Sequence, residues 1–158
     1  MAIQKPLVIV NGQIQQIASG DTLSAAASEV DVVSKLNDNA GAITVGMPVY
    51  VKSTGAVDKA AATASGTCRV LGLVKDASIS AAGSGFIQTD GVLSSVDWTD
   101  VTGSATLTAG AVYYLSETAG LLTTTAPTAS GSYVMKVGMA ISTTEFEIDT
   151  DRGGVLLA

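Results

Sequence analysis

The chain has 158 residues, a formal charge of −6 and no histidine. That length sets a prior of one domain, large enough to bury roughly two-thirds of its unfolded surface. Eight scattered Lys and Arg residues against 14 Asp and Glu argue against a nucleic-acid partner, whose phosphates call for clustered cations. The lack of histidine removes the commonest general base, metal ligand and nucleophile activator together.

Apolar residues make up 47% of the chain, yet aromatics only 4% and charged residues 14%. The apolar content is therefore mostly Ala and Val, over a surface rich in hydroxyls. No stretch reads as a membrane span, because the uncharged run 101–116 is interrupted by Thr, Ser and Gly. Near the N-terminus the apolar run Leu7-Val8-Ile9-Val10 is too short for the core of a secretory signal.

Residues 1–6 show no periodicity, and Pro6 favours an extended approach. The run Leu7-Val8-Ile9-Val10, then Asn11-Gly12, then residues 13–17 is the clearest local signal: two β-prone runs around a two-residue Asn-Gly hairpin signature. In the second run Gln13, Gln15 and Ile17 share one face, Ile14 and Gln16 the other. A lone two-stranded hairpin is marginal in water, so residues 1–20 read as an arm lying on the rest of the chain or on a partner. Its apolar residues Leu7, Val8, Ile9, Val10, Ile14 and Ile17 are the candidate partner contacts.

Ser19-Gly20-Asp21 reads as a turn. Residues 22–37 are ambiguous: Leu23, Ala26, Ala27, Val30 and Val33 fit a helical face capped by Asp21, whereas Glu29-Val30-Asp31-Val32 alternates. The expectation is a loop or single helical turn, then a strand over 30–36. Asn37-Asp38-Asn39-Ala40-Gly41 has turn composition. Further strands are expected over 47–52, 57–62, 69–75, 85–89 and 92–96, with Pro48 restricted to an edge or a strand start. After a linker through Trp98 come strands over 112–115, 121–125, 133–141 and 145–150. Short strands at this spacing with Gly turns point to a sandwich or barrel of antiparallel strands, all-β in class.

Residues 46–93 and 110–156 say nearly the same thing twice. With Gly46 laid on Gly110, Tyr50 falls on Tyr114; small insertions then bring Thr63-Ala64-Ser65-Gly66 onto Thr128-Ala129-Ser130-Gly131, Gly72 onto Gly138 and Phe86 onto Phe146. A period of about 64 residues exceeds that of solenoids and propeller blades. The expectation is one β domain over 21–158, built from two similar halves.

Chemistry has few places to reside. Glu145, Glu147, Asp149 and Asp151 would line one face of a strand while Phe146, Ile148 and Thr150 point the other way. Such a ladder could hold a hard cation such as calcium, but a solvated face that blocks edge pairing explains it more simply, and the first half carries no such acids. Asp149-Thr150-Asp151-Arg152-Gly153-Gly154 resembles the opening of a calcium loop without its closing Glu. Trp98 between Asp97 and Asp100 could serve a sugar or could plug the core. Cys68 is the sole cysteine and reads as a packed thiol. Gly83-Ser84-Gly85 lacks the Lys and helix of a phosphate loop. No catalytic, metal or cofactor-binding residue is assigned.

The run from Asn37-Asp38-Asn39-Ala40-Gly41 through Gly46-Met47-Pro48-Val49-Tyr50-Val51, with Gly55-Ala56-Val57, Val70-Leu71-Gly72-Leu73-Val74, Gly85-Phe86-Ile87 and Gly91-Val92, resembles a β module of tailed-bacteriophage virion surface proteins. Pro6 through Ile14, with Gly20-Asp21-Thr22-Leu23, likewise resembles the start of phage fibre and appendage proteins. The resemblance implies a non-enzymatic, trimeric decoration (cement) protein, made in the host cytoplasm. It would bind the major capsid protein on the capsid exterior through its N-terminal elements and strengthen the shell where capsomers meet. A head-fibre or tail-fibre module binding a host receptor or carbohydrate is the alternative, and a carboxylate hydrolase a third possibility.

Overall fold

The computed structural model describes residues 7–10, 13–16, 31–150 and 153–158, with side chains described from residue 31 onward. The strands are β1 (Leu7–Val10), β2 (Gln13–Gln16), β3 (Val32–Leu36), β4 (Ile43–Thr44), β5 (Pro48–Val51), β6 (Val57–Lys59), β7 (Val70–Val74) and β8 (Ser78–Ile79). They continue with β9 (Ser84–Gln88), β10 (Gly91–Ser94), β11 (Val112–Leu115), β12 (Leu122–Thr123), β13 (Tyr133–Val134), β14 (Lys136–Ala140), β15 (Glu145–Ile148) and β16 (Val155–Leu156). One four-residue helix, α1 (Thr99–Thr102), interrupts them. The fold is all-β, as its Gly-punctuated, Val-rich runs dictate.

Two five-stranded antiparallel sheets dominate, ordered β3-β9-β7-β5-β6 and β10-β15-β14-β11-β12. Neither closes into a barrel, and side chains of both enter one core, which makes the body a sandwich. Small ladders β4-β8 and β13-β16 flank them, and among the described residues β1 pairs with β2 alone. In that last ladder Val10 faces Gln13, leaving two residues between the strands as the Asn-Gly signature requires.

The two sheets share more than strand order. The β5-β7 register shifts between Val49 and Tyr50, and the β11-β14 register between Tyr113 and Tyr114. In each sheet a glycine faces the first residue of that pair, Gly72 opposite Val49 and Gly138 opposite Tyr113. A Cβ on either would lie 2.1 Å from a backbone oxygen, that of Gln88 or of Glu147, so no other residue fits without parting the strands. Gly46 donates its N–H to Val74 (2.9 Å) and Gly110 donates to Ala140 (2.7 Å), at φ of 83° and 78°. The ladders place Ile87 where Phe146 stands, since Ile87 pairs with Val74 and Phe146 with Ala140. Phe86, which the sequence aligns with Phe146, instead matches Glu145.

The core forms between and around the sheets. Trp98, fully buried just before α1, packs over the backbone of Gly46 in the turn leading into β5 and against Phe146 of the second sheet (ring centroids 5.9 Å), while Tyr113 meets Phe146 edge-on (5.8 Å). The alanine run expected to extend β6 instead leaves the strand after Lys59 and joins the sheets. Ala60 donates to Pro48 O and accepts from Gly120 N, while Ala62 donates to Ser116 O and accepts from Tyr133 N. Pro48 opens β5 inside its sheet, where the missing N–H is tolerated at a strand start.

Candidate functional site

Of the candidate contacts, Leu7, Val8, Ile9 and Val10 lie in β1 and Ile14 in β2, with Leu7 paired to Gln16 and Ile9 to Ile14. Their side chains, and Ile17 altogether, lie outside the described residues, as does the ambiguous stretch up to residue 30.

Alternation along β15 is as the sequence requires: Phe146 and Ile148 are buried, Glu147 and Asp149 exposed, Glu145 half-buried. The role differs, however. β15 lies inside its sheet between β10 and β14, so its acids do not guard an edge and form instead the wet outer face of an interior strand. Lys136 on the neighbouring strand pairs with Asp149. Among the described residues no three metal-ligating side chains are placed to hold an ion; Asp151 lies outside them.

Trp98 offers nothing to a ligand. Its ring is fully buried, its Nε1 finds no acceptor among the described residues, and it fills the seam between the sheets. Of the two readings of this residue, sugar platform or core plug, its burial against Gly46 and Phe146 agrees with the plug. Asp97 accepts hydrogen bonds from Thr99 Oγ1 (2.6 Å) and Thr99 N (2.8 Å), which hold its carboxyl below the usual carboxylate range. Asp100 accepts from Thr44 Oγ1 (3.1 Å). Both acids are local turn and loop ties. Cys68 is buried, and burial pushes its thiol pKa up, opposite to what a nucleophile needs.

Open clefts mark the surface of the described residues. One of about 380 Å³ lies beside the β5-β7 bulge, lined by Val51, Gly66, Arg69, Val70 and Leu71. A second, about 210 Å³, is edged mainly by the hydroxyls of Thr102, Ser104, Thr106, Thr108, Thr123 and Thr124. A third, about 230 Å³, gathers Asp31, Asp90 and Asp149. Each is open to solvent rather than a closed hollow.

The exposed apolar side chains are the more telling feature. Leu36 (45% exposed) and Phe86 (51%) lie on the outer face of the first sheet, while Val92, Val96 (92%) and Ile141 (45%) lie at the second, and Val155 and Leu156 at β16. Of these, only the C-terminal run Val155-Leu156-Leu157-Ala158 reads from the sequence as an apolar end that would find a partner. The signal for the others is adjacent apolar residues, such as Phe86-Ile87, which on a two-faced strand cannot both enter the core. Among the described residues no helix is long and apolar enough to cross a membrane.

Comparison with protein-family models and with curated protein sequences finds no match to this chain.

Proposed function

We propose that this chain is a structural, non-enzymatic protein of the virion surface, a decoration protein that binds the major capsid protein outside a tailed-bacteriophage head and stabilises the shell. The observation that carries this reading is the β1-β2 ladder, which among the described residues joins neither five-stranded sheet and pairs only with itself. A two-stranded ribbon with the sequence Leu7-Val8-Ile9-Val10 has too little of its own to stand in water; a capsid surface supplies the missing apolar partner. The all-β body, stitched by backbone ladders, is suited to bearing load.

The two sheets read as copies of one module. Their shared strand order, their bulges at Val49/Tyr50 and Tyr113/Tyr114, and the glycines facing those bulges support this. A homotrimer on the capsid exterior is the assembly that the phage resemblance implies. The fibre alternative keeps no aromatic platform at Trp98, which is enclosed.

Deleting residues 1–17 tests the reading. The truncated chain is expected to keep its cooperative unfolding transition and lose co-sedimentation with undecorated heads, and the full-length Ile9→Asp variant is expected to lose it too. Binding that survives both changes overturns the assignment of the contact to the hairpin.

A further inference from the structure

Matching corners of the two sheets carry complementary side chains. On the first sheet Ser34 pairs with Phe86, the Lys75 N–H donates to Phe86 O (2.9 Å), and Leu36 lies two residues along β3 from Ser34. On the second, Ser94 pairs with Glu145, the Ile141 N–H donates to Glu145 O (3.0 Å), and Val96 lies two residues beyond Ser94. Position for position, Leu36 matches Val96, Phe86 matches Glu145 and Lys75 matches Ile141. The first corner is thus apolar, apolar and basic; the second is apolar, acidic and apolar. Leu36, Phe86, Lys75, Val96 and Ile141 are all exposed.

A cross-strand pair and its diagonal neighbour lie within reach of one another, which groups Leu36 with Phe86 on the first sheet; Val96, 92% exposed in the bend after β10, stands at the rim of the second corner. The same backbone frame presents both patches, which differ by exchange of a charge and an apolar group. We infer that the partner of the first corner is the second corner of another copy of this chain. Phe86 then lies on Ile141, Lys75 meets Glu145, and Leu36 and Val96 close the rim. Glu145 is half-buried within its own chain. Like corners exclude each other, because two acidic corners repel and two basic ones do the same, which sets the direction of the contact. Such a head-to-tail contact is heterologous and forms a ring wherever its rotation closes. The inference rests on the matched corners and stands apart from the capsid reading.

Two single variants and their mixture test it. Phe86→Glu destroys the first corner and leaves the second; Ile141→Glu does the reverse. By light scattering after size-exclusion chromatography, the wild type is expected to be oligomeric, each variant monomeric, and their equimolar mixture a dimer of twice the monomer mass that grows no further. Retained Trp98 fluorescence reports that each variant is folded. As a second arm, Lys75→Glu is expected to lower the wild-type mass, and adding Glu145→Lys in the same chain to restore it. A wild type that is monomeric at every concentration, or a mixture that stays monomeric, overturns the contact. A monomer that still sediments with heads removes this inference alone, whereas an oligomer that ignores heads removes the capsid reading alone.

Discussion

The two five-stranded sheets share one frame and meet solvent differently. On the outer face of the first, Pro48, Leu73 and Gln88 form a row that is buried, Leu73 fully and Gln88 with 1% exposure. The matching positions of the second are Val112, Met139 and Glu147, half-buried or exposed. β7 is therefore packed on both faces, with Leu73 and Val74 equally enclosed, and β14 on one, with Met139 half out and Ala140 in. Strand order and bulges follow from glycines and turns that both sheets have; which face is wet follows from side chains and from what lies above them.

The sharpest test of the shared frame is to add one methyl group at equivalent points. Gly72→Ala and Gly138→Ala each place a Cβ 2.1 Å from a neighbouring strand's carbonyl oxygen, and each is expected to cost at least about 3 kcal/mol in urea unfolding. Gly138→Ala should be the worse, since its Cβ also meets the Phe146 ring at 2.5 Å. A neutral result at one glycine would break the equivalence.

Next comes the difference between the rows. Gln88→Glu buries a carboxylate and is expected to lose about 2–4 kcal/mol near neutral pH. Burial raises the folded pKa of such a group, so the folded state holds the extra proton and the loss should shrink as pH falls. The reverse exchange on the wet row, Glu147→Gln, is expected to change stability by no more than about 0.5 kcal/mol. Equal effects would mean that the rows are equally solvated.

A smaller contrast concerns the turn after each outer strand. Asn37, fully buried, accepts from Asn39 N (2.9 Å) and donates to the carbonyls of Gly41, Ile79 and Ser80 at 3.0 Å. Asp97 occupies the matching place and accepts from Thr99 N in the same two-residue turn, but is exposed. Asn37→Ala is expected to cost about 2–3 kcal/mol by stranding buried carbonyls, and Asp97→Ala less. The smallest effect is in acid. Asp97 has a folded pKa below its unfolded one, so its contribution is present above the unfolded value and disappears as pH drops through the folded one. Asp97→Asn should make the fall in stability between about pH 5 and pH 2 less steep.

Much of this was legible in the chain. Residues 112–115 form β11 as their alternation predicts, and β7 and β9 fall within a residue of the expected bounds, because apolar periodicity and Gly turns act locally. The ladders β4-β8 and β13-β16 were not foreseen, since two-residue strands have no period to read. The expected strand over residues 133–141 breaks into two at Met135, a buried residue between β13 and β14. α1 was missed because four residues show no helical period.

The candidate site divides the same way. Acid alternation on β15 could be read from spacing, whereas its interior position depends on β10 crossing to pair with it over a separation no local pattern encodes. Trp98 between two acids can be read as platform or, more commonly, as plug, and its neighbours Gly46 and Phe146 decide for the plug.

By itself the sequence determined the all-β class, the turn glycines, the hairpin and the absence of histidine chemistry, because each depends on residue type and short-range period. Tertiary structure alone decided which of two matching faces is covered, where Trp98 ends, and that Phe86 matches Glu145 rather than Phe146. Those outcomes depend on strand register, where a one-residue slip turns every side chain from core to solvent.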